Sequence, residues 1–263
     1  MGDKMSDIIT NIDLRGVATV TLNRPEVHNA FNDTVIADLT DIFRRLGNDP
    51  AVRVIVLRGV GKSFSAGGDL NWMRRMAGYS REENVADAMG LATMLRTLNE
   101  CPKPTLAVIH GHCFAGAVGL VAACDIAIAA DAVQFALTEV RLGLIPATIG
   151  PYVVAAMGAR ACRRYFLTAE RFDAATALRL GLVHEVVTAD ALNAAAEAAI
   201  ANLLLGGPRA LAAAKALIPA VDGPLDDAML ADTAARIAEA RAGDEGREGL
   251  ASFFDKRKPG WVK

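Results

Sequence analysis

The first 130 residues alternate short apolar runs with longer segments in which apolar residues recur every three or four positions. Nearly continuous apolar runs are typical of strands that are covered on both faces, and helical periodicity predicts helices with one buried face. We therefore expect strands at residues 8–13, 17–22, 52–57, 105–109 and 126–129, and helices at residues 33–46, 80–100 and 116–123. This order indicates βαβ layering and hence an α/β fold.

The pattern changes after about residue 150, where strand-like runs become rare and alanine-rich helical stretches dominate. We expect helices at residues 159–167, 174–180, 189–205, 208–218 and 225–242, and a short extended piece at residues 183–187. Such helices pack closely, either within one subunit or between subunits. The domain prediction is an α/β core over residues 1–200 and a C-terminal helical region over residues 201–263.

The composition is that of an ordinary globular protein. With 263 residues, of which 52% are hydrophobic, the chain has enough apolar material for a sizeable core. Its net charge of −2 argues against nucleic acids and membrane surfaces as partners. The first seven residues lack the apolar stretch of a signal peptide, and no run approaches the ~18 apolar residues of a membrane helix.

Cysteines and histidines do not indicate a disulfide framework or a metal site. The four cysteines form no CxxC pair, so we expect reduced, buried thiols in a cytoplasmic protein. Residues 110–112 (HGH) have no further ligands at metal-binding spacing. Glycine-rich nucleotide motifs are also absent from the sequence. We therefore predict no metal and no separate cofactor.

Two loops of small residues each follow a predicted buried strand. The first is residues 62–69 (KSFSAGGD), after the strand at 52–57, and the second is residues 111–119 (GHCFAGAVG), after the strand at 105–109. Small residues let backbone N–H groups approach a ligand closely. Two such loops can aim two N–H groups at one oxygen and so form an oxyanion hole. The pattern predicts chemistry on a carbonyl or thioester.

Six motifs in a fixed order extend this interpretation to nearly the whole chain. They are residues 23–30 (NRPEVHNA), 64–70 (FSAGGDL), 111–126 (GHCFAGAVGLVAACDI), 135–140 (FALTEV), 143–146 (GLIP) and 253–261 (FFDKRKPGW). In this order the chain resembles the enoyl-CoA hydratase/isomerase (crotonase) superfamily. The resemblance implies a spiral of ββα units forming two sheets, a C-terminal helical trimerisation region, and a homotrimer or a dimer of trimers.

The resemblance also assigns site residues. Ala66 and Gly116 match the two residues whose N–H groups form the oxyanion hole of the family. Glu139 lies among apolar residues, which raises the proton affinity of a carboxylate, and it matches one of two glutamates that hold water in the family's hydratases. An ion pair with Arg141 is the alternative for this side chain. Gly119 stands where standard hydratases carry the second glutamate.

Three functions stay open because the second glutamate is missing. The first is a hydratase with one carboxylate, and the second is an isomerase or related lyase that moves a proton with one base. The third is a homologue without catalysis that binds acyl-CoA or RNA. Two other polar residues of the loops, His112 and Asp69, are expected to be a hydrogen-bonded loop histidine and a helix N-cap.

The substrate implied by the resemblance is an acyl-CoA, with coenzyme A as part of the substrate. Its expected contacts are Arg24, Val27, His28, Ala30, Lys62, Ser65, Ala66, Gly67, Gly68, Asp69 and Leu70. Residues 69–76, Gly119 and residues 139–146 look like bacterial hydratases of 3-methylglutaconyl-CoA or isohexenylglutaconyl-CoA. Such substrates carry a second carboxylate, for which Arg74 or Arg75 is the candidate partner. The basic tail at residues 256–258 is either a phosphate contact or a solvated terminus.

Overall fold

A computed structural model of the chain describes residues 6–262. The N-terminal stretch that argues against a signal peptide lies mostly outside this range. Ten strands form in the described part: β1 (Ile8–Ile12), β2 (Val17–Leu22), β3 (Val54–Gly59), β4 (Ser63–Ser65), β5 (Thr105–Ile109), β6 (His112–Phe114), β7 (Ile126–Ala130), β8 (Gln134–Ala136), β9 (Phe172–Asp173) and β10 (Glu185–Val187).

Helices connect these strands and form most of the C-terminal third. The α-helices are α1 (Asp33–Asn48), α2 (Leu70–Met76), α3 (Arg81–Asn99), α4 (Gly116–Ala123), α5 (Gly150–Thr168), α6 (Ala174–Arg179), α7 (Leu192–Leu205), α8 (Pro208–Ala220), α9 (Asp227–Ala242) and α10 (Asp244–Phe254). Two 3-10 helices lie at Pro25–Val27 and Glu139–Leu142.

The strands form two sheets. The larger has the order β1-β2-β3-β5-β7-β10, in which only the β1–β2 pair is antiparallel, and the smaller has the order β4-β6-β8-β9. Strands β3, β5 and β7 of the larger sheet each continue directly into a strand of the smaller sheet and then into a helix. This ββα repeat is the spiral that the resemblance implies, so the predicted α/β fold is confirmed.

The strands of the larger sheet coincide with the apolar runs of the sequence because their side chains are buried. All five residues of β5 are buried, as are four of the six in β3, as expected for strands that are covered on both faces. Helix α1 buries one face, and the side chain of Asn32 caps it by accepting the Val35 N–H at 2.9 Å. The predicted capping box at Ser80 and Glu83 is present at the start of α3.

Several predicted boundaries are wrong. Strand β3 starts two residues later than expected, because the chain still turns at residues 49–53. Helix α5 begins at Gly150 rather than at residue 159, and the backbone is non-helical at Gly158 within it. The strands of the small sheet and helix α10 were not predicted. The predicted domain boundary at residue 200 lies within α7, and the division into a core and a C-terminal helical region stays a prediction.

The C-terminal helices are joined to the core by two half-buried cations. The Arg53 guanidinium donates hydrogen bonds to the carbonyls of Leu204, Gly206 and Trp261. Lys215 on α8 forms an ion pair with Asp125 at 2.8 Å. Within residues 6–262, no single helix is long and apolar enough to cross a membrane, although α7 and α8, which bend by 103°, reach that length and composition together.

Candidate active site

Three parallel strands of the small sheet bring the predicted site residues to one edge. Strand β4 pairs in parallel with β6, and β6 pairs in parallel with β8. The loop at residues 66–69 follows β4, Gly116 follows β6 after one residue, and Glu139 follows β8 after two residues. Because the carboxyl ends of neighbouring parallel strands lie at the same edge, the sheet gathers both loops and the glutamate in one place.

The two loops contact each other directly. A Cβ atom built on Gly67 would lie 2.9 Å from the Phe114 carbonyl oxygen and 3.4 Å from the Gly116 nitrogen. A side chain at position 67 would therefore push the loops apart. The predicted meeting of two small-residue loops is present in the structure.

The oxyanion role predicted for Ala66 is wrong. Its N–H donates a hydrogen bond of 2.9 Å to the carbonyl oxygen of His28, within the corner that holds the first loop. An N–H that is already paired with a backbone carbonyl has no free proton for a substrate oxygen. Ala66 therefore anchors the loop and does not act as a donor.

Gly68 is the residue of this loop whose N–H is available. The N–H of Gly67 donates to the Ser65 hydroxyl at 3.2 Å, and the N–H of Asp69 donates to the Phe31 carbonyl at 3.0 Å. None of the hydrogen bonds between residues 6–262 is donated by the N–H of Gly68. Two consecutive glycines are the sequence signal for close backbone approach that could have identified it.

Gly116 supplies the second available N–H. It is the first residue of α4, so its N–H has no acceptor within the helix, and the N-cap residue Ala115 provides no side-chain cap. The partial positive charge of a helix N-terminus favours an anion there. A Cβ at Gly116 would lie 2.7 Å from the Phe31 ring, so only glycine fits this position.

The Glu139 carboxyl has one oxygen without a hydrogen-bond partner among the described residues. Glu139 is the first residue of the 3-10 helix Glu139–Leu142, and its Oε2 atom is buried without a hydrogen-bond partner in the described part of the chain. Burial raises the pKa of this carboxyl above its usual range. The alternative ion pair with Arg141 is absent between these two described residues.

Gly119 has a packing role, which corrects its inclusion among the catalytic positions. A Cβ at this position would lie 2.2 Å from Cγ2 and 2.7 Å from Cβ of Ile149, which is buried. The isoleucine thus occupies the place that a side chain at position 119 would need. Ile149 is not predictable as a site residue, because nothing in the local sequence shows that it packs against α4.

Arg24 and Asp69 hold the first loop rather than facing a ligand. The Arg24 guanidinium pairs with Asp69 at 2.9 Å and with Asp7 at 3.3 Å, and it donates to the Ala30 carbonyl. Burial alone would raise the pKa of Asp69, but hydrogen bonds from Arg24 and from the Asn71 N–H outweigh it and lower that pKa. The predicted N-cap role of Asp69 on α2 is confirmed.

Some of the other residues expected to contact coenzyme A are buried, and the rest are open to solvent. Ser65 is fully buried and donates to the Asn29 carbonyl at 2.8 Å, so its side chain is closed to a ligand. Ala30 is also buried. The residues that remain open to solvent at the rim of the loops are Val27, which is half-buried, and the exposed His28, Lys62 and Leu70.

The two candidate arginines on α2 differ in their partners. Arg75 forms an ion pair with Asp33 at 2.7 Å. Arg74 donates to the side-chain oxygen of Asn71 at 3.2 Å, and no carboxylate of residues 6–262 lies within ion-pair distance of it. Both side chains are exposed. Arg74 is therefore the one that keeps its charge uncompensated.

The basic tail is partly neutralised. Arg257 forms two hydrogen bonds with the Glu248 carboxylate, at 2.7 and 2.8 Å, which fold the tail back on α10. Lys256 and Lys258 are exposed.

On the small sheet, His112 stacks on Phe114 with ring centroids 5.4 Å apart. Within the described residues, no group of three or more His, Cys, Asp or Glu side chains is placed to hold a metal ion.

Comparison with known proteins gives one consistent result. The family model described as enoyl-CoA hydratase/isomerase matches residues 13–263. An enoyl-CoA hydratase of Alternaria alternata, ACTT6, is 34% identical over 245 residues, covering 90% of this chain and 78% of the relative.

Solved structures agree with the sequence comparison. An enoyl-CoA hydratase from Shewanella pealeana superposes with a TM-score of 0.94 at 44% identity, covering 98% of this chain and 97% of the other. Pseudomonas aeruginosa AtuE superposes with a TM-score of 0.94 at 37% identity, covering 98% and 100%. With its spiral fold, paired loops and half-buried glutamate, the chain belongs to the enoyl-CoA hydratase/isomerase family.

Proposed function

We propose that this enzyme adds water across the α,β double bond of an enoyl-CoA thioester. The observation that carries the proposal is the placement of the N–H groups of Gly68 and Gly116 and the Glu139 carboxyl at one edge of the small sheet. Two unpaired donors suit the thioester oxygen, and an unpaired buried carboxyl suits proton transfer. A buried carboxyl oxygen without a protein partner needs an explanation, and catalysis supplies one.

The proposed reaction uses one carboxylate for both proton transfers. The Glu139 carboxylate accepts a proton from water as the water oxygen bonds to the β-carbon. The electron pair of the double bond moves onto the thioester oxygen, and the N–H groups of Gly68 and Gly116 stabilise the resulting enolate. Glu139 then returns the same proton to the α-carbon, which completes the addition of one water molecule. A raised pKa lets the carboxyl both hold and release this proton near neutral pH.

A second candidate, isomerisation of the double bond, is favoured by the contact between Gly119 and Ile149. Position 119 is glycine and supplies no second carboxylate to orient water. The Ile149 side chain fills the space that such a carboxylate would occupy. Glu139 alone can remove a proton from the α-carbon of a 3-enoyl-CoA and return it to the γ-carbon. This reaction needs the same oxyanion hole and no water.

We propose a branched, acidic acyl group such as 3-methylglutaconyl as the preferred substrate. The support is the resemblance of residues 69–76 and 139–146 to hydratases of such substrates, together with the uncompensated charge of Arg74. A guanidinium pairs with a carboxylate through two parallel hydrogen bonds. Arg75 is less suited, because Asp33 already neutralises it.

The experiment that tests the function compares three substrates: crotonyl-CoA, 3-methylglutaconyl-CoA and a 3-enoyl-CoA. Loss of the conjugated enoyl-thioester absorbance reports hydration, and its appearance from the 3-enoyl-CoA reports isomerisation. We expect hydration, with higher kcat/KM for the acidic substrate. Isomerisation without hydration would favour the second candidate, and no turnover of any substrate would contradict both.

The acidic-substrate proposal has its own matched pair of variants. Arg74→Ala should lower kcat/KM for 3-methylglutaconyl-CoA and leave that for crotonyl-CoA unchanged. Arg75→Ala, the neighbouring cation already paired with Asp33, is the control and should change neither value. Equal losses on both substrates for Arg74→Ala would remove the proposed role of this arginine.

We also propose that the enzyme assembles as a homotrimer or a dimer of trimers in the cytoplasm. The cytoplasmic placement is supported by the four cysteines, which are all free and buried. Assembly is supported by the C-terminal helices, since neither α8 nor α9 buries any residue fully within one chain. The large apolar side chains of Phe253 and Phe254 are 76% and 74% exposed. Apolar surface of this kind is typical of subunit interfaces.

A further inference from the structure

Ile149 makes an unusually close contact with the helix that carries the Gly116 N–H. A Cβ at Gly119 would lie 2.2 Å from the Cγ2 atom of Ile149, 2.7 Å from its Cβ and 3.5 Å from its Cα. The isoleucine thus fits into a notch that exists only because position 119 is glycine. A β-branched side chain has few rotamers, and its Cβ is fixed by the backbone, so Ile149 cannot turn away from this contact.

Ile149 is also connected to Glu139 through helix α5. Ile149 is the N-cap residue of α5, and α5 packs against the 3-10 helix that begins at Glu139. Backbone hydrogen bonds hold each end of the connecting segment: the N–H of Leu144 donates to the Glu139 carbonyl at 3.1 Å, and the N–H of Gly150 donates to the Ala147 carbonyl at 3.3 Å. Because α5 also packs against the 3-10 helix, we expect a movement of Ile149 to reach the segment that bears the carboxyl.

The first turn of α4 is fixed by packing rather than by a capping side chain. No side chain caps α4, and its N-cap residue Ala115 has a positive φ of 50°. The Phe31 ring lies against Gly116 on one side of this turn, and Ile149 lies against Gly119 one turn further along. These two contacts set the direction in which the Gly116 N–H points.

We infer that Ile149 is a positioning residue that sets the distance between the Gly116 N–H and the Glu139 carboxyl. Both groups act on the same thioester in the proposed reaction, so the inference rests on the proposed function. A misplacement of about 1 Å between reacting groups can lower a rate by about 10²-fold. The contact acts on the chemical step and leaves coenzyme A binding untouched, because the rim residues Val27, His28 and Lys62 lie on other elements.

The test is Gly119→Ala, which places a methyl group against Ile149. We expect kcat to fall about 10- to 100-fold, with KM for crotonyl-CoA changed less than about threefold, in a folded enzyme. A glycine-to-alanine change within a helix favours the helix by itself, so the loss would come from the contact. The matched control is Gly90→Ala on α3, where a Cβ meets only the Ile36 Cγ2 atom, at 3.9 Å, and should leave kcat unchanged.

Rescue separates positioning from a general structural defect. In Gly119→Ala/Ile149→Gly the two close contacts with the Ile149 side chain are gone and the Cα of residue 149 lies 3.5 Å from the methyl group, an ordinary van der Waals distance, and glycine is a good N-cap residue. Because this variant also lacks Ile149, we expect kcat to rise above that of Gly119→Ala only to the level of Ile149→Gly alone, below the wild type, whereas the larger cavity lowers Tm. If Gly119→Ala fails to fold, Ile149→Ala replaces it and should lower kcat with KM unchanged.

Two results would overturn the inference. One is full kcat in folded Gly119→Ala or Ile149→Ala, and the other is a kcat in the double variant that does not rise at all above that of Gly119→Ala. Failure of the proposed function is distinguishable from both, because the wild-type enzyme itself would then turn over no enoyl-CoA.

Discussion

At the scale of single residues, the proposed chemistry depends on two backbone N–H groups and one carboxyl oxygen that the described chain leaves unpaired. Unpaired polar groups are rare inside proteins, since each costs about 1–3 kcal/mol when buried. Their presence together at one sheet edge, on Gly68, Gly116 and Glu139, is best explained by a ligand that satisfies them. Other buried polar groups around them, such as Ser65 and Asp69, are fully paired.

Replacing Gly68 by proline tests the donor assignment. Proline removes the N–H of this residue, and loss of one oxyanion donor lowers kcat by about 10²–10³-fold. Gly68→Ala is the control, because it keeps the N–H and its Cβ would meet only Trp72 and Met73 side-chain atoms at 3.5 Å or more. Similar kcat values for the two variants at saturating crotonyl-CoA would show that this N–H does not contact the substrate oxygen.

Glu139 makes stability depend on pH in a predictable direction. Its pKa is raised by burial, so the folded protein binds this proton more tightly than the unfolded chain does. The resulting stabilisation is complete below the ordinary value of 4.5 and is lost as pH rises through the raised pKa. Glu139→Gln is neutral at every pH, so its Tm should equal that of the wild type near pH 4 and exceed it at pH 8. A gap that opens toward acidic pH instead would contradict the raised pKa.

Residue types at the site were predictable, but the identity of one donor was not. The small-residue loops and the apolar surroundings of Glu139 are visible in the sequence. The hydrogen-bonding register of residues 66–69 is not, because it depends on His28 and Phe31, which lie more than 30 positions away in the chain. For the same reason, the contact of Gly119 with Ile149 could not be predicted.

At the scale of elements, the apolar periodicity of a segment predicts its secondary structure when the segment buries one face or both faces in the core. Strands β2 and β5 and helices α1 and α3 were predicted because their apolar patterns follow directly from their contacts with the core. Strands of three residues, such as β4 and β6, show no recognisable period. Helix α5 was only half predicted, because the non-helical Gly158 interrupts its pattern.

Arg53 is the residue through which the larger sheet holds the C-terminal elements. Arg53→Met removes its hydrogen bonds to three carbonyls and should lower the free energy of unfolding by about 2–3 kcal/mol in urea titrations. Arg15→Met is the control, since the ion pair of Arg15 with Glu197 is exposed and should contribute less than about 1 kcal/mol. Equal effects of the two substitutions would contradict the special role of Arg53.

At the scale of the whole molecule, the described chain is well packed in its α/β core and sparsely packed in its C-terminal helices. Helices α8 and α9 have no buried residues, whereas every residue of β5 is buried. The sequence shows this only as alanine-rich helices, which pack equally well within a subunit or between subunits. The exposed apolar side chains in the structure favour the second arrangement.

Light scattering coupled to size exclusion tests the proposed assembly. We expect a mass three or six times the 27.7 kDa of one chain at micromolar concentration. Phe253→Ser/Phe254→Ser removes two exposed apolar rings and should shift the protein toward smaller species without changing its helical circular dichroism. A wild-type protein that elutes as a monomer would contradict the assembly.

Glu139→Gln provides the most direct test of the central claim, that one buried carboxyl performs both proton transfers. Glutamine has nearly the same shape but cannot accept or return the proton, so kcat for hydration of crotonyl-CoA should fall at least about 10²-fold. The measurement compares this variant with the wild type at saturating substrate, with Tm showing that both are folded. Hydration by the variant within a few-fold of the wild-type rate would contradict the account.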